Sequence, residues 1–250
     1  MTTTSPHEGI PERIDPLKEP IGVVSYHLAK YAFARGIIGR ERVLDVACGV
    51  GYGSAFLAEV SPSVVGLELA SEAIDIARSR YLSGRCSFIQ ADAELLPIAT
   101  ASVGAVVCFE GIEHFRDPSA HLGEVARVLQ HEGCYIVSTP HPDAHTHGDD
   151  NPFHLHEFDV ESFRSILGSR FASVDLLGQR RKQSSSHAIA QRADILGLRR
   201  AAWMRPFTRL VSRSLLRTRP TEETMPDDFV IEPWTPDATE YVAVCRQPRP

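Results

Sequence analysis

The chain is 250 residues long, with 26 basic and 32 acidic residues and a formal charge of −6. Its 43% hydrophobic and 8% aromatic content is ordinary globular composition and excludes a disordered or collagen-like chain. No apolar run approaches the roughly 18–20 residues that span a bilayer.

A chain of this length can bury a full core in one domain, alone or with an elaborated lid. Residues 1–22 are polar and proline-rich and lack the basic and apolar regions of a signal peptide, which predicts a cytoplasmic protein. Cys48, Cys86, Cys108, Cys134 and Cys245 include no C-x-x-C pair and mostly sit in apolar runs. They read as reduced, packed thiols. Between Arg180 and Arg219 lie eleven basic residues and one acid, Asp194, so the remainder is an acidic body carrying one basic segment.

In chain order, residues 23–38 show apolar spacings of three and four and predict a helix. A short strand, 42–47, runs into a glycine cluster and a helix at 54–60. Strand 63–69 follows, then helix 71–81 with Ser71 as N-cap. Further strands are expected at 86–90, 103–109, 134–139 and 172–177, with a helix at 118–129, and a last strand at 240–246. This alternation predicts βαβ units: an α/β, Rossmann-like, mostly parallel sheet with helices on both faces. The organisation expected is a leader (1–22), an α/β core (23–178), a basic helical insertion (179–239), and a last strand and tail (240–250).

Gly49, Gly51 and Gly53 directly follow the first strand, where glycine permits positive φ and lets a ligand approach the backbone. An ordinary tight turn would use them too. The dinucleotide fingerprint fits imperfectly, because Ser54 stands where its third glycine would fall. Asp45, at the end of the strand, would repel a pyrophosphate but suit a cationic ligand. Glu68 ends the second strand, where a carboxylate can take ribose hydroxyls. Asp92 follows the third, placed for an adenine amino group. Each acid alone reads as a solvated loop residue, but three at successive strand ends point to a ligand.

The segments VLDVACGVGYGS, GLELA and QADAELLPIATASVGAVVCFEGIEH resemble the class I S-adenosylmethionine-dependent methyltransferases over roughly residues 43–171. The preceding YHLAKYAFA resembles a subgroup found beside glycan-assembly enzymes. The resemblance implies that S-adenosylmethionine is held at its methionine end by Asp45, Ala47, Gly49 and Gly51. It assigns the ribose to Glu68, the adenine face to Leu69 and the adenine edge to Asp92 with Ala93. The Phe109 backbone would flank the sulfonium, and Tyr26 would close over the methionine part. A seven-stranded sheet of order 3-2-1-4-5-7-6 is implied as well. Val50 departs from the family, which often has an acid there.

After the fourth strand the chain reads Glu110-Gly-Ile-Glu113-His114. On a helix, positions i, i+3 and i+4 share a face, so two carboxylates and an imidazole would converge. The plainer reading has Glu110 capping a helix, Glu113 solvated and His114 packed on a loop. The E-x-x-E-H pattern resembles the ubiquinone-pathway O-methyltransferases and the small-RNA 3′-terminal 2′-O-methyltransferases. That likeness implies a divalent metal, with His154 as the remaining ligand and Mg²⁺ or Mn²⁺ as the ion. His141, His145 and His147 follow the fifth strand. His141 and His145 are the candidate general bases, unless the stretch is only a polar loop.

Residues 199–217 place Trp203, Phe207, Leu210, Val211 and Leu215 on one helical stripe among arginines. A lid helix with a solvated basic face is expected, shaping the acceptor side; an anionic partner, a membrane surface or RNA are the alternatives, and the acidic remainder disfavours nucleic acid. The function expected is transfer of a methyl group to a hydroxyl of a saccharide or glycan precursor, assisted by a metal, with a homodimer as the oligomeric state. A natural-product phenol or RNA ribose as acceptor, or a non-catalytic cofactor-binding regulator, are the rival readings.

Overall fold

In the computed structural model, which describes residues 13–142, 153–182 and 224–249, the strands are β1 (Arg42–Val46), β2 (Ser63–Glu68), β3 (Cys86–Gln90), β4 (Val103–Phe109), β5 (Leu129–Pro140), β6 (Phe171–Arg181), β7 (Phe229–Pro233) and β8 (Glu240–Pro248). The helices are α1 (Ile21–Ile38), α2 (Tyr52–Leu57), α3 (Ser71–Tyr81), α4 (Pro118–Val128) and α5 (Val160–Gly168). One eight-stranded sheet has the order β3-β2-β1-β4-β5-β8-β6-β7. Strands β1 to β5 pair in parallel, β8 runs antiparallel between β5 and β6, and β7 lies antiparallel on the edge of β6.

Every residue of β4 is buried, as a central parallel strand covered on both faces must be. Its side chains alternate between two cores. Val106 and Cys108 join Leu44, Leu122, Tyr135, Phe163 and Tyr241 on one side. Ala105 and Val107 join Tyr31, Ile38, Leu57, Ile74, Ile136 and Val242 on the other. All five cysteines are buried and unbridged, as their apolar settings predict. Among the described residues no helix is long and apolar enough to cross a membrane.

Two expectations change, and one falls outside the described residues. The sheet has eight strands, because β7 forms within the stretch read as a helical insertion. Its five residues, ending in Pro233, are too few to show a strand period, and β6 supplies the pairing partner. Residues 183–223, including the stripe from Trp203 to Leu215, lie outside the described residues. Ser71 caps nothing: the N-cap of α3 is Ala70, and the Glu68 carboxylate instead accepts from the amides of Leu69 and Ala70. Asp117 and Asp159 do cap as the chemistry prescribes: Asp117, just before Pro118, accepts from the amides of Ser119 and Ala120, and Asp159 accepts from that of Ser162.

Candidate active site at the strand ends

Between β1 and α2 the backbone takes left-handed φ angles at Ala47 (55°), Gly49 (54°) and Gly51 (87°). The two glycines serve different ends. A Cβ on Gly49 would meet nothing within 4 Å, so its backbone faces open space that a ligand can enter. A Cβ on Gly51 would lie 2.6 Å from the Phe88 ring and 2.8 Å from the Ala77 side chain, so this glycine lets the loop pack on β3 and α3.

Asp45 lies beneath the loop. It is fully buried, and its carboxylate accepts from the Ser54 hydroxyl at 2.6 Å and the Tyr31 hydroxyl at 3.3 Å. Burial pushes its pKa up to about 7, against the lowering by those two hydroxyls. The carboxylate therefore faces Ser54 and Tyr31 beneath the loop. Ser54, the residue that broke the dinucleotide fingerprint, is the group that holds Asp45. Asp45→Ala is accordingly expected to lower stability by about 1–3 kcal/mol, since two buried hydroxyls lose their acceptor.

Glu68 spans from the loop to α3: one oxygen accepts from the Gly49 amide at 3.2 Å, the other from the amides of Leu69 and Ala70 at 3.0 and 3.1 Å. Leu69 leaves a large exposed apolar side chain beside it. Asp92 accepts from the Glu94 amide at 2.9 Å and from Arg116 at 3.1 Å. Ala93 is buried, and its carbonyl is taken by His121. Phe109 is buried edge-on to Tyr31. These residues lie at or just beyond the carboxyl ends of four adjacent parallel strands, the edge at which open α/β sheets bind ligands. Tyr26 sits further along, on α1, its hydroxyl bonded to that of Thr239 at 2.6 Å and its ring against Phe229.

Past β4 the structure departs from the helical convergence expected of E-x-x-E-H. Glu110 adopts a left-handed φ of 52°, and only a single 3-10 turn, Ile112–His114, follows. The Glu110 carboxylate is 3.1 Å from the ammonium of Lys30 and accepts from the Ser138 hydroxyl. Lys30 is fully buried and also donates to Glu240. Burial alone would raise the Glu110 pKa, but Lys30 beside it holds the group down at about 2. Glu110 is thus the counterion of a buried lysine. Neither Lys30 nor Glu240 was singled out from the sequence.

Glu113, His114 and His154 do come together: one ligand atom from each lies within 4.8 Å of the others. Glu113 is buried; one oxygen accepts from the Thr139 hydroxyl at 3.1 Å, while the other is buried with no hydrogen-bond partner among the described residues. Burial, and the charge of Glu110, push its pKa up. The loop that carries His154 is clamped to the turn: the amides of Leu155 and His156 donate to the Glu113 carbonyl, and the His114 Nδ1–H donates to the Phe153 carbonyl at 2.8 Å. His141 stacks on Trp234 at an interplanar angle of 8° and packs against Tyr241. His145 and His147 lie outside the described residues.

With this geometry in view, the likenesses to known proteins have a place to attach. Residues 44–137 match the model of the methyltransferase domain. A probable S-adenosylmethionine-dependent methyltransferase of Mycobacterium tuberculosis is 37% identical over 140 residues, covering 54% of this chain and 50% of its own. A ubiquinone biosynthesis O-methyltransferase of Xanthomonas oryzae is 34% identical over 125 residues, covering 49% and 52%. The chain thus spans about half the length of the curated relatives it matches. The crystal structure of a SAM-dependent methyltransferase from Thermotoga maritima superposes with a TM-score of 0.63 at 14% identity, covering 91% of each chain. One from Mesorhizobium loti gives 0.53 at 15%, covering 87% of this chain and 98% of that one. The fold is the Rossmann-like methyltransferase fold. The match and the named relatives support a class I S-adenosylmethionine-dependent methyltransferase.

Gly49→Val is expected to abolish binding of S-adenosylhomocysteine, because it fills the open side of the loop and strains a left-handed backbone. Calorimetry on the folded variant checks this; unchanged affinity would remove Gly49 from the cofactor site.

Proposed function

We propose that the protein transfers the methyl group of S-adenosylmethionine to a hydroxyl oxygen of a saccharide or glycan precursor, with a divalent metal at Glu113, His114 and His154. The observation that carries the cofactor reading is the strand-end array: an open Gly49 backbone, Glu68 bound to its amide, and exposed Leu69 and Asp92 on the neighbouring strands. In this reading Glu68 orients the loop and takes the ribose, Leu69 covers one adenine face, and Asp92 with Ala93 meets its edge. The Phe109 backbone closes the site at the reacting end.

The donor set supports the metal. Two imidazoles and a carboxylate with one unpartnered buried oxygen match a divalent ion, and the imidazoles favour Mn²⁺ over Mg²⁺, which prefers oxygen. When bound, the ion favours the alkoxide of an acceptor hydroxyl whose own pKa is far above 7. Thr139 and the clamped 153–156 loop hold the donors in place. The names of the relatives, which include ubiquinone biosynthesis and fatty-acid O-methyltransferases, support oxygen as the acceptor atom; the choice of a sugar rests on the YHLAKYAFA likeness.

The test is transfer of radiolabelled methyl from the cofactor to a panel of saccharides, phenols and fatty acids, with and without EDTA. Label in a saccharide, lost on chelation and restored by Mn²⁺, is the expected outcome. Label confined to phenols or fatty acids would reject the sugar, and full turnover in a metal-stripped preparation would reject the ion.

A further inference from the structure

The E-x-x-E-H spacing offers two carboxylates to one ion, but this chain sends them to opposite sides of the sheet. Glu110 is bonded to Ser138 and Glu113 to Thr139. These two are consecutive residues of β5, and consecutive side chains on a strand point to opposite faces. The packing agrees. Lys30 and Glu240, the partners of Glu110, belong to the face that α1 covers, whereas His114 and His154 accompany Glu113 on the other. Withdrawing Glu110 from Lys30 would also leave a fully buried ammonium with one carboxylate fewer.

Resting on the metal reading above, we infer that Glu113, His114 and His154 form a three-donor site for a divalent cation from which Glu110 is excluded. Lys30 and Ser138 hold Glu110 on the α1 face, and among the described residues no fourth donor joins the three, which leaves positions of the ion open to oxygen ligands. Such an open site can take an acceptor hydroxyl directly, as catalytic metal sites with few protein ligands do.

The experiment uses the full chain, stripped of metal, with Mn²⁺ titrated by calorimetry and Co²⁺ followed by its visible absorption. Glu110→Gln keeps a carbonyl oxygen for Lys30 and Ser138, so the fold is preserved. Its Mn²⁺ affinity should stay within about tenfold of the parent, the small end of what groups outside the coordination shell contribute, and its Co²⁺ bands should not move. Glu113→Gln should weaken binding by about a hundredfold or more. His154→Ala, on a half-buried loop residue, should repeat that loss and stands in if Glu113→Gln is unstable. A Glu110→Gln variant that loses metal as Glu113→Gln does, or whose Co²⁺ bands shift, overturns the exclusion of Glu110 while leaving the metal reading intact. A parent protein that binds neither ion overturns the metal reading itself, and this inference with it.

Discussion

Replacing Lys30 with methionine is expected to remove about 3–5 kcal/mol of folding free energy at pH 7, the range found when one member of a buried ionic group is deleted. The ammonium is fully buried, 3.1 Å from Glu110 and bonded to Glu240, and it lies 5.0 Å above the ring of Tyr26. Methionine keeps the stem and the contact with Tyr26 but leaves two buried carboxylates facing each other without a cation. Burial already pushes Glu240 up to about 8, and without Lys30 the Glu110 carboxyl, which that ammonium holds down, also rises above its unfolded value. That sets the sign: the variant regains stability as pH falls toward the carboxylate range and loses it as pH rises. Urea unfolding at pH 7 and pH 5 measures both effects. The triple variant Lys30→Met, Glu110→Gln, Glu240→Gln should recover most of the loss, since an apolar or neutral replacement of a whole buried group is often close to neutral. A single variant that loses less than about 1 kcal/mol would show that the triad is not held as a desolvated unit.

The core strands were legible because a buried parallel strand leaves a dense signature. VGAVVCF cannot be solvated, and β4 is buried at every position. Where an element depended on a partner, the sequence was silent. Strand β7 exists because β6 offers a free edge, and β5 begins at Leu129 because Val103 pairs with it across an irregular register. Ser71 had the right chemistry for a cap, but the helix starts one residue earlier, with Ala70 as its N-cap, and Glu68 accepts from the amides of Leu69 and Ala70 that lead into it.

Within the site, the acids after β2 and β3 could be found because a parallel strand delivers its last residue to the ligand edge. The burial of Asp45 could not be read from the sequence, because it comes from the tight loop that folds over the end of β1 and from Ser54 and Tyr31 behind it. Lys30 was missed although a signal existed. It falls four residues after Tyr26 and four before Ala34, on the stripe of α1 that ends in the buried Ala34 and Ile38. A lysine on an apolar stripe requires a buried partner, and that partner, Glu240, is 210 residues away. The E-x-x-E-H pattern failed at one link: shared spacing means a shared face only on an α-helix, and a left-handed Glu110 breaks the helix before it starts.

Acidification should destabilise the protein through His121, and His121→Gln should remove that part of the loss. The imidazole is fully buried between the Ala93 carbonyl, which accepts from Nδ1–H at 3.0 Å, and the Tyr135 hydroxyl, 2.9 Å from Nε2. With Nδ1 donating, a neutral ring presents Nε2 as the acceptor of the tyrosine proton. Protonation would place a charge in a fully buried site and force the Tyr135 hydroxyl to turn its proton away from Nε2. Burial lowers the pKa to about 4 from 6.5, opposed by the bond to Ala93 and by the nearby charges of Glu94 and Glu124. The unfolded chain therefore binds the extra proton between those two values and the folded chain does not, so stability present above pH 6.5 drains away as pH falls to about 4 and no further below it. A shift of this size corresponds to about 3 kcal/mol. Glutamine can donate to Ala93 and accept from Tyr135 but cannot titrate. Its packing penalty is the same at every pH, so the stability gap between parent and variant should narrow by about 3 kcal/mol between pH 7 and pH 4. Parallel stability curves over that interval would mean that the folded imidazole takes its proton as readily as the unfolded one.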